Sequence, residues 1–187
     1  QVAIIGAGPA GLSCASELAA AGREVVLVDD NPAAGGQYFR QLPATYSCAP
    51  GARLLRDKAR FDALAATLAA PGVRHLAAAT IWGAPGPRTL SYASASGGGR
   101  LEAEAIVIAS GAQEKAMPFP GWTLPGVISA GGCLNLAKGH GMIPSGRVVV
   151  AGNGPLVLVA AATLIAAGAQ VVCVVEAQSD RALLPAA

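Results

Sequence analysis

A glycine-rich turn near the start of the chain is the first feature whose residues could do chemistry. Its residues, in the pattern G-x-G-x-x-G, are Gly6, Ala7, Gly8, Pro9, Ala10 and Gly11. The turn follows a short apolar run, residues 1–5, and opens a segment with helical spacing, residues 9–21. In such a unit the glycines permit a tight turn, close approach of a pyrophosphate and close helix packing, while the helix N-terminus faces the negative charge. The pattern therefore predicts a dinucleotide-binding turn.

Two neighbouring carboxylates follow the next predicted strand, residues 24–28. A dinucleotide-binding unit carries a ribose-binding acid about 20 residues after its glycine turn. Asp30 is the first candidate for the ribose hydroxyls and Asp29 is the second. We expect the one that does not bind ribose to be a solvated surface charge.

The elements that must position this site form an α/β pattern. After a Gly- and Pro-rich loop come a helix, three short strands that suggest an antiparallel β-meander at about residues 75–104, and a buried strand. These segments are residues 31–51 (loop), 53–69 (helix), 75–82, 89–95 and 100–104 (meander strands) and 105–109 (buried strand). The predicted fold is a Rossmann-like FAD/NAD(P)-binding fold with a parallel sheet and an inserted meander.

The strand–helix–strand unit recurs later, with strands at residues 147–151 and 170–175. Its turn has Gly152 and Gly154 but carries Val157 where a third glycine or alanine normally permits close packing. Glu176 ends the second strand, where a ribose-binding acid would lie. NAD(P) binding here is one interpretation, and a structural remnant is the favoured one. Few residues follow this unit, which predicts a second dinucleotide-binding domain that is truncated.

Composition excludes several other classes. The chain has 53% hydrophobic and 13% charged residues and a net charge of +2, without the basic patch of a nucleic-acid binder. The cysteines form no C-x-x-C pair, and no metal-ligand cluster or catalytic residue set is present. Glycines and a proline interrupt the longest apolar stretch, so no membrane span is predicted. His75 and His140 are expected to be exposed or locally hydrogen-bonded. A cytoplasmic protein is therefore expected, with membrane association only through partners.

Three segments resemble known flavoproteins. The acid-then-GGQ run at residues 30–37 resembles that of thioredoxin-reductase-like flavoproteins, and residues 105–112 resemble their second flavin motif, with serine in place of threonine. The run PFPGWTLPGV at residues 118–127 is similar to a group of FAD-dependent subunits. That group comprises opine oxidase subunits, hydrogen cyanide synthase B subunits and dye-linked amino-acid dehydrogenase α-subunits. The resemblance covers essentially the whole chain.

The resemblance implies FAD as cofactor, bound by a first domain at residues 1–115, with the second domain starting within residues 116–187. Gly6, Gly8 and Gly11 would hold the pyrophosphate and Asp30 the adenosine ribose. The remaining cofactor-binding candidates are Pro9 and Ala10 in the glycine turn, Gly36 and Gln37 on the flavin side, and Ser110, Gly111 and Ala112 closing over the cofactor. The chain lacks the redox cysteine pair of disulfide reductases, which argues against dithiol chemistry.

The function implied is oxidation of an amino-acid or opine-like amine, with electrons passed through flavin and a catalytic partner subunit in a hetero-oligomeric dehydrogenase. Two alternatives stay open. One is an NAD(P)H-dependent flavoprotein reductase that uses Glu176. The other is a non-catalytic nucleotide-binding scaffold subunit of a dehydrogenase complex.

Overall fold

The computed structural model describes residues 1–43 and 57–177. The described chain forms two compact units, the first made of residues 1–40 and 57–112 and the second of residues 41–43 and 113–177. The predicted domains, residues 1–115 and 116–187, stay a prediction. Parts of the predicted loop at 31–51 and helix at 53–69 lie outside the described residues.

The first unit contains two helices and seven strands within its described residues. They are β1 (Val2–Ile5), α1 (Pro9–Ala20), β2 (Val25–Val28), α2 (Lys58–Ala65), β3 (Val73–Leu76), β4 (Ala79–Gly86), β5 (Thr89–Ser94), β6 (Gly97–Glu102) and β7 (Ala105–Ile108). A turn of 3-10 helix, Ala66–Ala69, extends α2. Pro9 begins α1, where its missing N–H costs nothing, and Gly22 follows its end with a φ of 70°.

A four-stranded parallel sheet, in the order β3-β2-β1-β7, forms the centre of this unit. Because side chains alternate along a strand, Ile4 and Leu27 pack under α1 and α2, whereas Ala3 and Val26 pack against the meander. Both faces of the sheet are thus covered, which explains its almost wholly apolar strands. The carboxyl ends of β1, β2 and β7 lie at one edge, so the loops that follow them meet there. This architecture confirms the predicted α/β class.

The meander is shorter than predicted. Strands β4, β5 and β6 form the antiparallel sheet, but the single strand predicted at residues 75–82 divides into β3, which joins the parallel sheet, and β4. The chain turns between them at Ala78, whose φ is 50° and whose N–H donates to the Asn31 carbonyl at 3.0 Å. Residues 83–86, which follow the predicted strand 75–82 and contain two glycines and a proline, lie within β4, where register shifts accommodate them.

The second unit repeats the strand–helix–strand arrangement. Its elements are α3 (Ala130–His140), β8 (Arg147–Gly152), α4 (Pro155–Ala166) and β9 (Gln170–Glu176). Strands β8 and β9 pair in parallel, with a register shift between Val148 and Val149. A cluster that includes Cys133, Val157 and Leu164 joins α3 and α4 to the sheet. Within residues 1–43 and 57–177, no helix has the length and apolar character needed to cross a membrane.

Candidate functional site

The predicted glycine turn lies at the edge of the sheet where the loops after β1 and β7 meet. A Cβ on Gly6 would lie 2.4 Å from the Ala109 carbonyl oxygen and 3.2 Å from the Ser110 Cα. The φ of Gly6 is +102°, a conformation that side chains rarely adopt. Glycine at this position therefore lets the segment after β7 pack directly on the turn. The structure thus brings Gly6 and Ser110 together, while Gly111 and Ala112 follow as exposed residues.

The third glycine sets the distance between α1 and the turn. A Cβ on Gly11 would lie only 1.8 Å from the Gly6 carbonyl oxygen. Such an overlap is incompatible with any side chain unless the helix moves away. Gly11 therefore has the predicted packing role, and it holds the N-terminus of α1, including Pro9 and Ala10, against the turn.

The middle glycine differs from its two neighbours in the motif. Gly8 has a φ of −75°, which any residue adopts, and a Cβ there would meet only the Gly36 Cα, at an ordinary 3.8 Å. The protein itself therefore has room for a side chain at position 8. Glycine there leaves open backbone at the N-terminus of α1, where a helix presents amides without intrahelical partners.

The GGQ segment packs on the turn and is not a simple loop. The Gly35 N–H donates to the Ala7 carbonyl at 2.8 Å, and a Cβ on Gly36 would lie 2.9 Å from the Gly8 Cα. Both residues have positive φ, 120° and 57°, which favours glycine at each. Gln37 follows on the exposed surface. The segment therefore lies beside the predicted pyrophosphate position.

The two carboxylates after β2 have different environments. Asp29 is 6% exposed, and its oxygens accept hydrogen bonds from the Ala7 N–H at 2.5 Å, the Asn31 N–H at 2.8 Å and the Asn31 Nδ2 at 2.9 Å. Asp30 is exposed and accepts from the Asn31 Nδ2 at 2.8 Å. The expectation that the acid not chosen for ribose is a solvated surface charge is wrong for Asp29, because that residue is buried in the turn.

A sequence signal for this role was present in the order of the residues. An aspartate can hydrogen-bond the backbone N–H two residues further on, which is the Asx turn that Asp29 makes with Asn31. The bond from Ala7 to Asp29 joins residues far apart in the sequence and could be found only from the pairing of β1 with β2.

The pKa of His75, near the site, differs from its ordinary value. Burial lowers the pKa of His75, an effect that the nearby Asp29 carboxylate opposes. Its Nε2 is buried and has no hydrogen-bond partner among the described residues, so the expectation of an exposed or locally hydrogen-bonded histidine is wrong here. His140 is exposed, as expected.

Thiol and metal chemistry receive no support within the described residues. Burial raises the pKa of the Cys133 thiol, which disfavours the reactive thiolate. The cysteines of residues 1–43 and 57–177 are all free, and Cys48 lies outside these ranges. No group of three His, Cys, Asp or Glu side chains that could hold a metal occurs in the same ranges.

The turn of the second unit is not a copy of the first. Gly154 has a φ of +91°, against −75° at Gly8. A Cβ on Gly152 would lie 3.0 Å from the Val157 Cγ2, so the valine fills the space beside the turn. The Glu176 carboxylate accepts a hydrogen bond from the Gly154 N–H, with oxygen distances of 3.0 and 3.3 Å. The valine and the carboxylate thus both lie against this turn.

The first unit has a parallel sheet, a glycine turn that opens α1, helices on one face and a meander on the other. These features define a Rossmann-like dinucleotide-binding fold. The family model for "Pyridine nucleotide-disulphide oxidoreductase" matches residues 1–186. The chain belongs to this family of oxidoreductases.

Named relatives agree with the group indicated by the sequence. The chain is 38% identical over 175 residues to the opine oxidase A subunit of Agrobacterium tumefaciens (strain Ach5), covering 88% of this chain and 34% of that protein. It is 36% identical over 179 residues to the hydrogen cyanide synthase subunit HcnB of Pseudomonas aeruginosa, covering 93% of this chain and 38% of that protein. Both relatives are named as subunits, and the predicted resemblance is confirmed.

A solved structure shows the same fold. The L-proline dehydrogenase from P. horikoshii superposes with a TM-score of 0.70 at 20% identity, covering 92% of this chain and 34% of that one. The chain spans little more than a third of the length of the two named subunits, 34% and 38% respectively.

Proposed function

We propose that the first unit binds FAD, and that the protein is an FAD-binding subunit, or part of one, in an oxidoreductase that oxidises an amino-acid or opine-like amine. The relatives named as opine oxidase A subunits support the substrate class. The membership of an oxidoreductase family supports the reaction type. When bound, FAD supplies the electron-accepting chemistry, and the protein supplies placement and electrostatics.

The observation that carries the proposal is the glycine at position 8. Gly6 and Gly11 are needed by the fold, because a Cβ at either would overlap backbone oxygen. Gly8 has an ordinary φ and room for a Cβ, so the fold alone does not explain it. A pyrophosphate approaching the N-terminus of α1 does explain it, because a side chain there would occupy the position of the phosphate.

The residues around this position fit a dinucleotide. Asp30 is exposed at the carboxyl end of β2 and suits a pair of ribose hydroxyls, whereas Asp29 holds the turn. Gly36 and Gln37 would run along the flavin side. Ser110, Gly111 and Ala112 would border the cofactor from the end of β7.

We further propose that the protein works with a catalytic partner subunit. The relatives named as subunits of opine oxidase and hydrogen cyanide synthase support such an assembly. The compartment that we propose is the cytoplasm, because free thiols such as Cys133 and Cys173 are kept reduced there.

The test is an absorbance spectrum of the purified protein with FAD, recorded anaerobically before and after addition of amino acids and opines together with the partner subunit. We expect a flavin band that bleaches with an amine and stays oxidised with NADH or NADPH. Bleaching by NADH alone would replace the proposal with the reductase alternative. If the protein takes up no flavin, the alternative of a non-catalytic scaffold subunit replaces the proposal.

A further inference from the structure

The carboxylate of Glu176 lies on the turn of the second unit. It accepts from the Gly154 N–H with both oxygens within 3.3 Å. Gly154 is the N-cap of α4, so this amide is one of the donors that a helix N-terminus offers to an anion. The Glu176 carboxylate therefore binds the Gly154 amide, which a diphosphate would need as a hydrogen-bond donor.

The first unit has two acids after β2, and only one of them binds the turn. Strands β1 and β2 pair up to Ile5 and Val28, and the next residue, Asp29, binds the turn. Asp30 comes one position later and is exposed, which leaves it available for ribose.

In the second unit, the described residues at the end of β9 include one acid. Its strands pair up to Gly152 and Glu176, so Glu176 is the acid at the end of the pairing and binds the turn as Asp29 does. The next residue is Ala177, which is exposed and has no side-chain acceptor. Glu176 therefore acts as a clamp on the turn.

We propose that Glu176 acts as this clamp and thereby excludes NAD(P) from the second unit. A diphosphate at the N-terminus of α4 would lie beside the half-buried Glu176 carboxylate, and like charges brought into contact repel. Val157, 5% exposed, also fills the space next to Gly152 that a third glycine would leave. The residues present therefore do not fit a pyridine nucleotide.

The residues that would exclude the nucleotide all lie in the second unit, so the inference does not depend on FAD binding by the first unit. The purified protein is titrated with NAD⁺ by calorimetry in the absence and in the presence of excess FAD. The difference between the Glu176 variants and the unaltered protein reports the second turn, whether or not the first turn takes up FAD. The variants are Glu176→Ala, which removes the carboxylate, and Glu176→Gln, which removes the charge and retains an acceptor. Glu102→Gln, at an exposed carboxylate of β6, is the matched control for a lost surface charge.

We expect no heat of binding for the unaltered protein or the Glu102 variant up to about 1 mM NAD⁺, and affinity at least ~10-fold higher in both Glu176 variants. Amide hydrogen exchange at Gly154 should be faster in Glu176→Ala, because the clamp is lost. Binding by the unaltered protein that weakens in Glu176→Ala would make Glu176 a ribose ligand and overturn the proposal. Equal binding, or equal lack of it, in all variants would also overturn it.

Discussion

The carboxylate of Asp29 accepts a hydrogen bond from the backbone N–H of Ala7, which joins the end of β2 to the middle of the glycine turn. The Ala7 carbonyl accepts in turn from the Gly35 N–H at 2.8 Å. The peptide groups of Ala7 are therefore held from two directions, and the turn is fixed before any ligand arrives. A turn that is preorganised in this way loses less conformational entropy on binding.

The two neighbouring carboxylates should respond differently to substitution. In Asp29→Asn, the new amide NH₂ must face one of the donors on Ala7 or Asn31, so we expect a loss of about 1–3 kcal/mol in the free energy of unfolding without FAD. In Asp30→Asn, at the exposed position, we expect stability to change by no more than ~0.5 kcal/mol. Denaturant unfolding of the FAD-free protein measures both values.

The same pair of variants tests ribose binding. If the Asp30 carboxylate accepts from ribose hydroxyls, its loss should weaken FAD binding by about 10-fold or more, since hydrogen bonds to charged groups contribute ~1.5–3 kcal/mol. Fluorescence titration with FAD measures this change. The roles given to the two residues would be reversed if Asp30→Asn bound FAD normally and Asp29→Asn kept its stability.

His75 should make the stability of the protein depend on pH. Burial lowers its pKa below the usual value of 6.5, against the opposing effect of Asp29. Below pH 6.5, His75 therefore binds a proton in the unfolded chain more readily than in the folded protein. The stability that the neutral histidine contributes above pH 6.5 is lost as the pH falls from 6.5 through the lower pKa of the folded state. We expect His75→Leu to show a smaller loss of stability between about pH 7.5 and pH 5.5 than the unaltered protein.

The exposed His140 provides the control for this measurement. His140→Gln should retain the pH dependence of the unaltered protein in thermal unfolding at each pH. A His75 variant whose pH dependence is unchanged would show that another group is responsible.

The central features of the fold could be predicted from local pattern. Glycine turns, apolar β-branched runs and helical spacing each depend on neighbouring residues, and they predicted the strand–helix–strand unit and its repeat. The division of residues 75–82 could not be predicted in this way, because the bond that turns the chain joins Ala78 to the distant Asn31. No local pattern marks which of two consecutive apolar segments continues a parallel sheet.

The candidate site could also be predicted only in part from local sequence pattern. The spacing of Gly6, Gly8 and Gly11 predicted the turn, but the three glycines look alike in the sequence. Only the positions of Ala109 and Gly36 show that Gly6 is needed for packing and that Gly8 is not. Likewise, Glu176 has the spacing of a ribose-binding acid, whereas the pairing of β8 with β9 places its carboxylate on the Gly154 N–H.

A side chain at position 8 gives the most direct test of the proposed cofactor site. Gly8→Ala should cost at most ~1 kcal/mol of stability, since alanine is a poorer N-cap than glycine, and Gly8→Ser should restore the cap. Gly83→Ala is the matched control, because its Cβ would meet only the Ser91 Cβ at 3.9 Å.

The decisive measurement is the dissociation constant for FAD of these three variants and the unaltered protein, with folding checked by thermal unfolding. We predict that both Gly8 variants fold and bind FAD at least ~10-fold more weakly, whereas Gly83→Ala binds as the unaltered protein does. Folded Gly8 variants that bind FAD with unchanged affinity would contradict the claim that this turn holds the pyrophosphate.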